Sequence, residues 1–333
     1  MLLLRRRLRQ SRAFWCLSVV AVLAVVNVMQ DSHSAYLEGP ISYISSPWSD
    51  ALDPKIPRPP RHPRVLRPSL QDDTEDQWWT PDHLQQLLDV PTTTCRRMLS
   101  LGGGLRCSDC HTCLRDGQKF TCLDEDVRPR PGSCLIYSVG VGGELSWDYA
   151  MKNFNCSVLA FDMTMMNWTN IQLGTGLHFL DLGLADTNSD DTINMTAADG
   201  PGVEWEVREA HFRTLDTIRE VLDHTRRPID VLKLDIENWE WKVMGGLLSS
   251  PSRAKVLDDV KQIALEIHLD GLKNASAAER VTEARHVEEV LKALHNQGFK
   301  LAQTELNTAQ QEYGEVRGHV FPLYRESLFL RRP

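Results

Sequence analysis

From residue 133 to the end, short apolar runs alternate with stretches whose apolar positions recur every three or four residues. The runs predict strands over 135–139, 157–161, 177–180, 229–234 and 262–267, with two closing strands over 300–306 and 327–331. The stretches between them predict helices over 145–152, 215–224, 239–248 and 279–297. In the last helix Ala284, Val287, Leu291 and Leu294 share one face, and Gly298 stops it. Strands alternating with helices predict an α/β domain whose parallel sheet is covered on both faces. No internal repeat is visible.

Upstream the texture changes. A short helix is predicted to open at Thr80-Pro81, with proline at its first position, and to run to about Leu88. Cys95, Cys107, Cys110, Cys113, Cys122 and Cys134 follow, with Gly102-Gly103-Gly104 read as a flexible turn among them. Eight prolines fall between Pro40 and Pro68 with little apolar periodicity, which predicts an extended stem. Before it, Arg5, Arg6, Arg7, Arg9 and Arg12 precede an uncharged apolar stretch over 13–30. A basic flank before such a stretch predicts a type II signal-anchor, with a cleaved secretory signal as the alternative. The expected organisation is a basic tail and anchor over 1–30, a stem over 31–75, a helix and cysteine-rich cap over 76–132, and a catalytic domain over 133–333.

Composition supports a folded domain and narrows its partners. Hydrophobic residues make up 42% of the chain and charged residues 25%, enough for a core without staples. The formal net charge of −8 argues against a nucleic-acid-coating surface, which needs a basic stripe. Clustered cysteines in an oxidising lumen predict disulfides. With Cys156 added, the cysteines after the apolar stretch number seven, so one is expected to stay free or to pair with another chain. Cys107, Cys110 and Cys113 with His111 also have zinc-ligand spacing, but disulfides are the preferred reading. Sequons at Asn155, Asn167, Asn194 and Asn274 fit the same ER or Golgi lumen.

The candidate chemistry sits where strands end. The run 135–139 leads into Gly140-Val141-Gly142-Gly143 and then a helix, a turn that lets the backbone approach a ligand. Asp162 closes the next strand, at the place where an acid meets ribose hydroxyls. Leu145 stands where a dinucleotide fingerprint needs a small residue, which argues against a dehydrogenase. Asp235 closes the predicted strand 229–234, beside the crevice of an open parallel sheet, and Glu237 follows it. Asp235 and Glu237 could also simply begin the next helix. Glu266 and His268 end the predicted strand 262–267 and join them as candidate bases.

Five stretches stand in a telling order: Tyr137-Ser138-Val139-Gly140-Val141-Gly142-Gly143, Phe161-Asp162, Asp181-Leu182-Gly183-Leu184-Ala185-Asp186, Thr214-Leu215-Asp216-Thr217-Ile218, and 229–237 with its Leu232-Lys233-Leu234-Asp235-Ile236-Glu237. Together they resemble the FkbM-type class I methyltransferases, and within them the methyltransferase-like protein 24 group. Asp116-Gly117-Gln118-Lys119 before Cys122 resembles that group specifically. The resemblance implies a Rossmann-like seven-strand sheet with S-adenosyl-L-methionine as cofactor. It places Ser138, Gly140 and Gly142 near the methionine part of the cofactor and Asp162 on its ribose. Gly183, Leu184 and Ala185 would lie near the adenine, with Asp181 or Asp186 close by. Asp235, Glu237 and His268 are the candidates at the methyl-transfer centre. Ser138 stands where many such enzymes carry an acid, and Asn238 where FkbM proteins usually carry glycine. The methyl acceptor, expected to offer a hydroxyl, could be a glycan, a lipid, a small molecule or a protein.

Two other functions compete. A lumenal glycosyltransferase would share the anchor and stem, and Asp124-Glu125-Asp126 has the form of a metal-holding acid pair. A non-catalytic binding protein on the same fold is the other.

Overall fold

In this computed structural model, residues 79–107, 113–165, 168, 170–196, 205–273 and 275–332 are described. The basic run, the apolar stretch and the stem lie outside them, as do Asn167 and Asn274. Among the described residues no helix is long and apolar enough to cross a membrane.

The chain opens with helix α1 (Asp82–Asp89) and two long strands, β1 (Met98–Cys107) and β2 (Cys113–Cys122). They pair antiparallel from Met98 opposite Cys122 to Cys107 opposite Cys113. The Gly102–Gly104 run is therefore mid-strand and not the flexible turn its composition suggested. Gly102 pairs with Gln118 and lies so close to the start of the following helix that a Cβ would strike the Trp147 backbone. Glycine here permits contact between two elements rather than a change of direction.

Next come β3 (Leu135–Val139), α2 (Ser146–Asn153), β4 (Ser157–Phe161), β5 (Ile171–Gln172) and β6 (Leu177–Leu180). Two-residue β7 (Gly183–Leu184) then pairs with a ribbon of β8 (Ser189–Thr196) and β9 (Trp205–Arg213), which the hydrophobic pattern had not marked. After α3 (Leu215–Val221) run β10 (Ile229–Leu234), α4 (Glu240–Leu248), α5 (Pro251–Ala254), β11 (Val260–His268) and α6 (Ala277–Asn296). The chain closes with β12 (Phe299–Leu306), a small hairpin of β13 (Tyr313–Val316) and β14 (His319–Pro322), and β15 (Tyr324–Arg331).

The fold is mixed α/β around one sheet of eight strands, one more than expected, in the order β12-β15-β11-β10-β3-β4-β6-β5. The extra strand is the two-residue β5 at one edge. The five strands from β11 to β6 run parallel, and β15 lies antiparallel between β11 and β12. Every residue of β3 and β10 is buried, as central parallel strands require. On one face α1, α3, α4 and α6 pack through Leu84, Ile218, Met244 and Leu291. On the other, α2 and the β1–β2 hairpin pack through Trp147, Met151 and Phe120.

Polar residues dock the hairpin. The buried Gln262 side chain accepts from Cys122 N at 2.8 Å and donates to Cys122 O at 2.8 Å and Val127 O at 2.9 Å. Disulfides join Cys95 to Cys122 and Cys134 to Cys156. Cys113 is also disulfide-bonded, which removes it as a zinc thiolate, and no described cysteine is free.

Candidate functional site

Chain order reverses between β3 and β10, so their carboxyl ends flank the crevice of the sheet. A cavity of about 390 Å³ opens there, within the usual size of ligand sites. Gly140, Gly142, Asp162, Gly183, Leu184, Asp235, Glu237 and His268 all line it. Three anticipated residues do not. Ser138 is wholly buried within β3, and its side chain faces the core near Asp148. Asp181 is ion-paired to Arg208. Ala185 packs with Ala210 and Phe212 behind the cavity wall. Alternation along a strand turns Ser138 away from its lining neighbours, and β9, unseen in the sequence, claims the other two.

The glycine turn is built by its neighbours. Gly140 has φ 74° and Gly142 has φ 51°, both left-handed. A Cβ on Gly140 would overlap the Asp235 carbonyl oxygen, whereas Gly142 faces open space. Gly140 is thus fixed by the meeting of two loops, and Gly142 by its backbone alone.

Asp162 holds this turn. Its Oδ2 accepts from Val141 N at 2.9 Å and Gly142 N at 2.8 Å, and its Oδ1 accepts from Thr164 N at 2.7 Å and Thr164 Oγ1 at 2.6 Å. A carboxylate offers about four acceptor positions, and the chain itself uses all of them. A ribose contact would have to displace one of these donors.

Asp235 sits between cations. Lys119 Nζ lies 3.1 Å and Lys233 Nζ 3.4 Å from its Oδ2. Burial raises its pKa, but Lys119, Lys233 and His268 together hold the carboxyl well below the usual carboxylate range. His268 is buried, and its Nδ1 is 3.0 Å from Glu240 Oε1. Burial pulls its pKa down. The hydrogen bond and charge of Glu240, with the charges of Glu266 and Asp235, outweigh that and raise it to about 9. That balance favours the imidazolium and makes His268 a poorer base than its place at the end of β11 suggested. Glu237 is 86% exposed and lies 3.7 Å from His268 Nε2. Its pKa is pushed up, first by desolvation and then by Asp235, Glu266 and Glu240, with His268 opposing and water softening the effect.

The turn after the Asp235 motif explains one departure from the family pattern. Glu237 (φ 52°) and Asn238 (φ 73°) are both left-handed. Asparagine is the side-chain-bearing residue that best tolerates this region, so Asn238 can stand where the family resemblance leads one to expect glycine.

Other lining residues had gone unmarked. Phe212 and Trp239 stack at 6.3 Å beside Gly183, and Asp116 and Gly117 come from the hairpin. Beneath the cavity floor, the buried Lys119 ammonium contacts Glu266 at 2.7 Å and Glu326 at 2.5 Å as well as Asp235. Only the Asp116-Gly117-Gln118-Lys119 motif hinted at this. Nothing in the sequence brings Phe212 to Trp239.

Among the described residues, two groups bring metal-type donors together. Asp235, Glu237 and His268 place donor atoms within 4.8 Å of one another, but both ammonium groups already contact Asp235 Oδ2, and His268 Nδ1 is engaged by Glu240. Cys95, Cys122 and Asp124 form the other, and its sulfurs are joined in a disulfide. Asp124 is buried and accepts from Arg96 N, Arg97 N and Arg332. That employs the acid on which the glycosyltransferase reading relied.

Comparisons with known proteins agree on the class. The chain is 27% identical over 191 residues to the rat protein named "Probable methyltransferase-like protein 24", covering 56% of this chain and 48% of that one. To the human protein of that name it is 27% identical over 187 residues, covering 54% and 46%. The chain thus spans about half the length of these relatives. No solved structure matches. A family model described as "Methyltransferase domain" matches residues 74–319, most of the chain, and the chain therefore belongs to that methyltransferase family.

Proposed function

We propose that this chain is an S-adenosylmethionine-dependent methyltransferase of the secretory-pathway lumen, held there by its N-terminal segment and directed at a hydroxyl of a glycan, lipid, small molecule or protein. The observation that carries the reading is the junction of Gly140 with the Asp235 carbonyl at the crevice of the sheet. The reading is supported by the seven strands that remain when the two-residue β5 is set aside and by the disulfide-linked hairpin packed against them, which on this reading is the cap.

The residues present fit the cofactor. S-adenosylmethionine supplies a methyl group already activated on a sulfonium sulfur. The bare backbone of Gly140 and Gly142 gives the amino-acid part close approach. Leu182, Leu184, Phe212 and Trp239 give a flat apolar wall for a base ring. Asp235, Glu237 and Glu266 line the cavity and favour a positive sulfur. Alignment of the acceptor in this cavity supplies most of the rate. Glu237, exposed and with its pKa raised, is the group suited to take the hydroxyl proton.

The test is calorimetric titration of S-adenosylmethionine into folded protein. Wild type should bind. Asp162→Ala leaves the turn's amides without their acceptor and should bind roughly 10- to 150-fold more weakly. Asp235→Ala should retain most of the affinity and lose turnover once an acceptor is found. No binding by wild type at millimolar cofactor would defeat the reading.

A further inference from the structure

Lys119 is the least expected residue of the site. It lies on β2 of the hairpin, far in sequence from the Asp235 loop, yet it is 1% exposed. A buried ammonium persists only when paired and hydrogen-bonded. Lys119 is paired three times, to Asp235 at 3.1 Å, Glu266 at 2.7 Å and Glu326 at 2.5 Å. These acids come from the end of β10, from β11 and from β15, so one side chain of the hairpin joins three strands of the sheet.

The strand that carries it is fixed on both sides. Cys122, three residues on, is disulfide-bonded to Cys95 and hydrogen-bonded on both backbone groups to Gln262. Asp116, three residues back, accepts from Asn307 Nδ2 at 2.9 Å, and the same nitrogen donates to Glu266 at 3.1 Å. An ammonium held this way does more than fill space, because both lysine contacts on Asp235 fall on Oδ2. That leaves Oδ1 of Asp235, a residue of the cavity lining, without a lysine contact.

We propose that Lys119 is a positioning residue, its ammonium tying Asp235 to Glu266 and Glu326 so that the hairpin sets the direction and charge of the Asp235 carboxylate. The Asp116-Gly117-Gln118-Lys119 motif is then a working part of the active site, with Asp116 and Gly117 on the cavity wall and Lys119 below its floor. This rests on the methyltransferase reading.

The groups facing Asp235 are Lys119 from β2, Lys233 from β10, Glu266 and His268 from β11, Glu326 from β15, and Glu237 and Glu240 from the loop and start of α4. Burial would lower the Lys119 pKa, but Asp235, Glu326 and Glu266 hold it well above the ordinary lysine value. Glu326 is itself pushed well up by burial, with Lys119 offsetting part of that. Removing Lys119 leaves Asp235 with Lys233 and His268 alone, among neighbouring acids that compete for a proton.

The experiment compares binding of S-adenosylmethionine, a cation at sulfur, with S-adenosylhomocysteine, its neutral thioether, between pH 5 and 8. Because Asp235 stays ionised in wild type, any change of the ratio with pH there comes from other lining acids such as Glu237, and it is the baseline for the variants. In Lys119→Met the preference for the cation should grow with pH by roughly threefold or more as Asp235 ionises. Lys119→Arg should restore the wild-type profile. A purely structural lysine would weaken both ligands alike at every pH. Should Lys119→Met not fold, Lys119→Met with Glu326→Gln removes one acid along with the cation and is read in the same way. A folded Lys119→Met variant whose ratio changes with pH no more than that of wild type overturns the proposal. Failure of wild type to bind either ligand would instead strike the methyltransferase reading itself.

Discussion

The cavity has two walls of different origin. One is the strand-and-turn unit 135–143, where five buried residues lead into glycines held by Asp162. The other is the β1–β2 hairpin, which reaches the same cavity through Gly104, Leu105, Asp116 and Gly117. The first wall is local: its strand, its turn and its clamp lie within about thirty residues of one another. The second depends on contacts across the chain, such as Lys119 with Glu326 and Gln262 with Cys122. The difference teaches that one ligand site can be half legible as a motif and half dependent on docking.

The sharpest probe of the first wall is Gly140→Ala. The added methyl meets the Asp235 carbonyl in a left-handed backbone, so stability should fall by about 3 kcal/mol or more and cofactor binding should vanish. Gly142→Ala faces open space and should cost only about 1 kcal/mol. Equal thermal shifts for the two would refute the claim that loop junction, not backbone angle, fixes Gly140.

The disulfides divide the walls next. Cys95–Cys122 closes the hairpin, and Cys134–Cys156 joins the amino ends of β3 and β4, opposite the cavity. With separations of 27 and 22 residues, each pair of serine substitutions should cost about 3 kcal/mol of stability. Only loss of the first should also weaken S-adenosylmethionine binding, as read by calorimetry. If both change affinity equally, the hairpin has no special share in the site.

Asp148 lies between the walls, wholly buried on α2 and with its pKa raised to about 6, first by burial, with Lys233 opposing. A raised carboxyl pKa means that ionisation opposes folding. Stability is therefore greatest below the unfolded value near 4 and falls as pH rises through about 6. Two pH units correspond to at most about 3 kcal/mol. Asp148→Asn should flatten denaturation midpoints between pH 4 and 7 and be the more stable protein at pH 7. A wild-type midpoint that rises over that range would contradict the shift.

The smallest expected effect is at Asn238. Asn238→Gly should change stability by less than about 0.5 kcal/mol, and Asn238→Ala should cost about 1 kcal/mol, because alanine tolerates the left-handed region poorly. Chemical denaturation of the two variants gives the comparison directly.

What the sequence by itself determined is the run of strands and helices after residue 133 and the carboxyl-end residues they deliver. The strands over 135–139, 157–161, 177–180 and 229–234 begin and end where the apolar runs do, because a buried parallel strand is encoded by its own residues. Family membership was legible in the same motifs. Tertiary structure decided what those motifs touch. Asp162 was legible as a strand-end acid, but only the folded turn shows its oxygens spent on Val141, Gly142 and Thr164. His268 was legible as a candidate base, and only the fold shows the buried Glu240 beside it, which favours its protonated form. The β8–β9 ribbon and the Lys119 cluster left no periodic trace, since a polar ribbon buries little and a buried lysine is defined by acids on distant strands. Charge state and hydrogen-bond occupancy depend on neighbours in space, and a pattern along the chain encodes only neighbours in sequence.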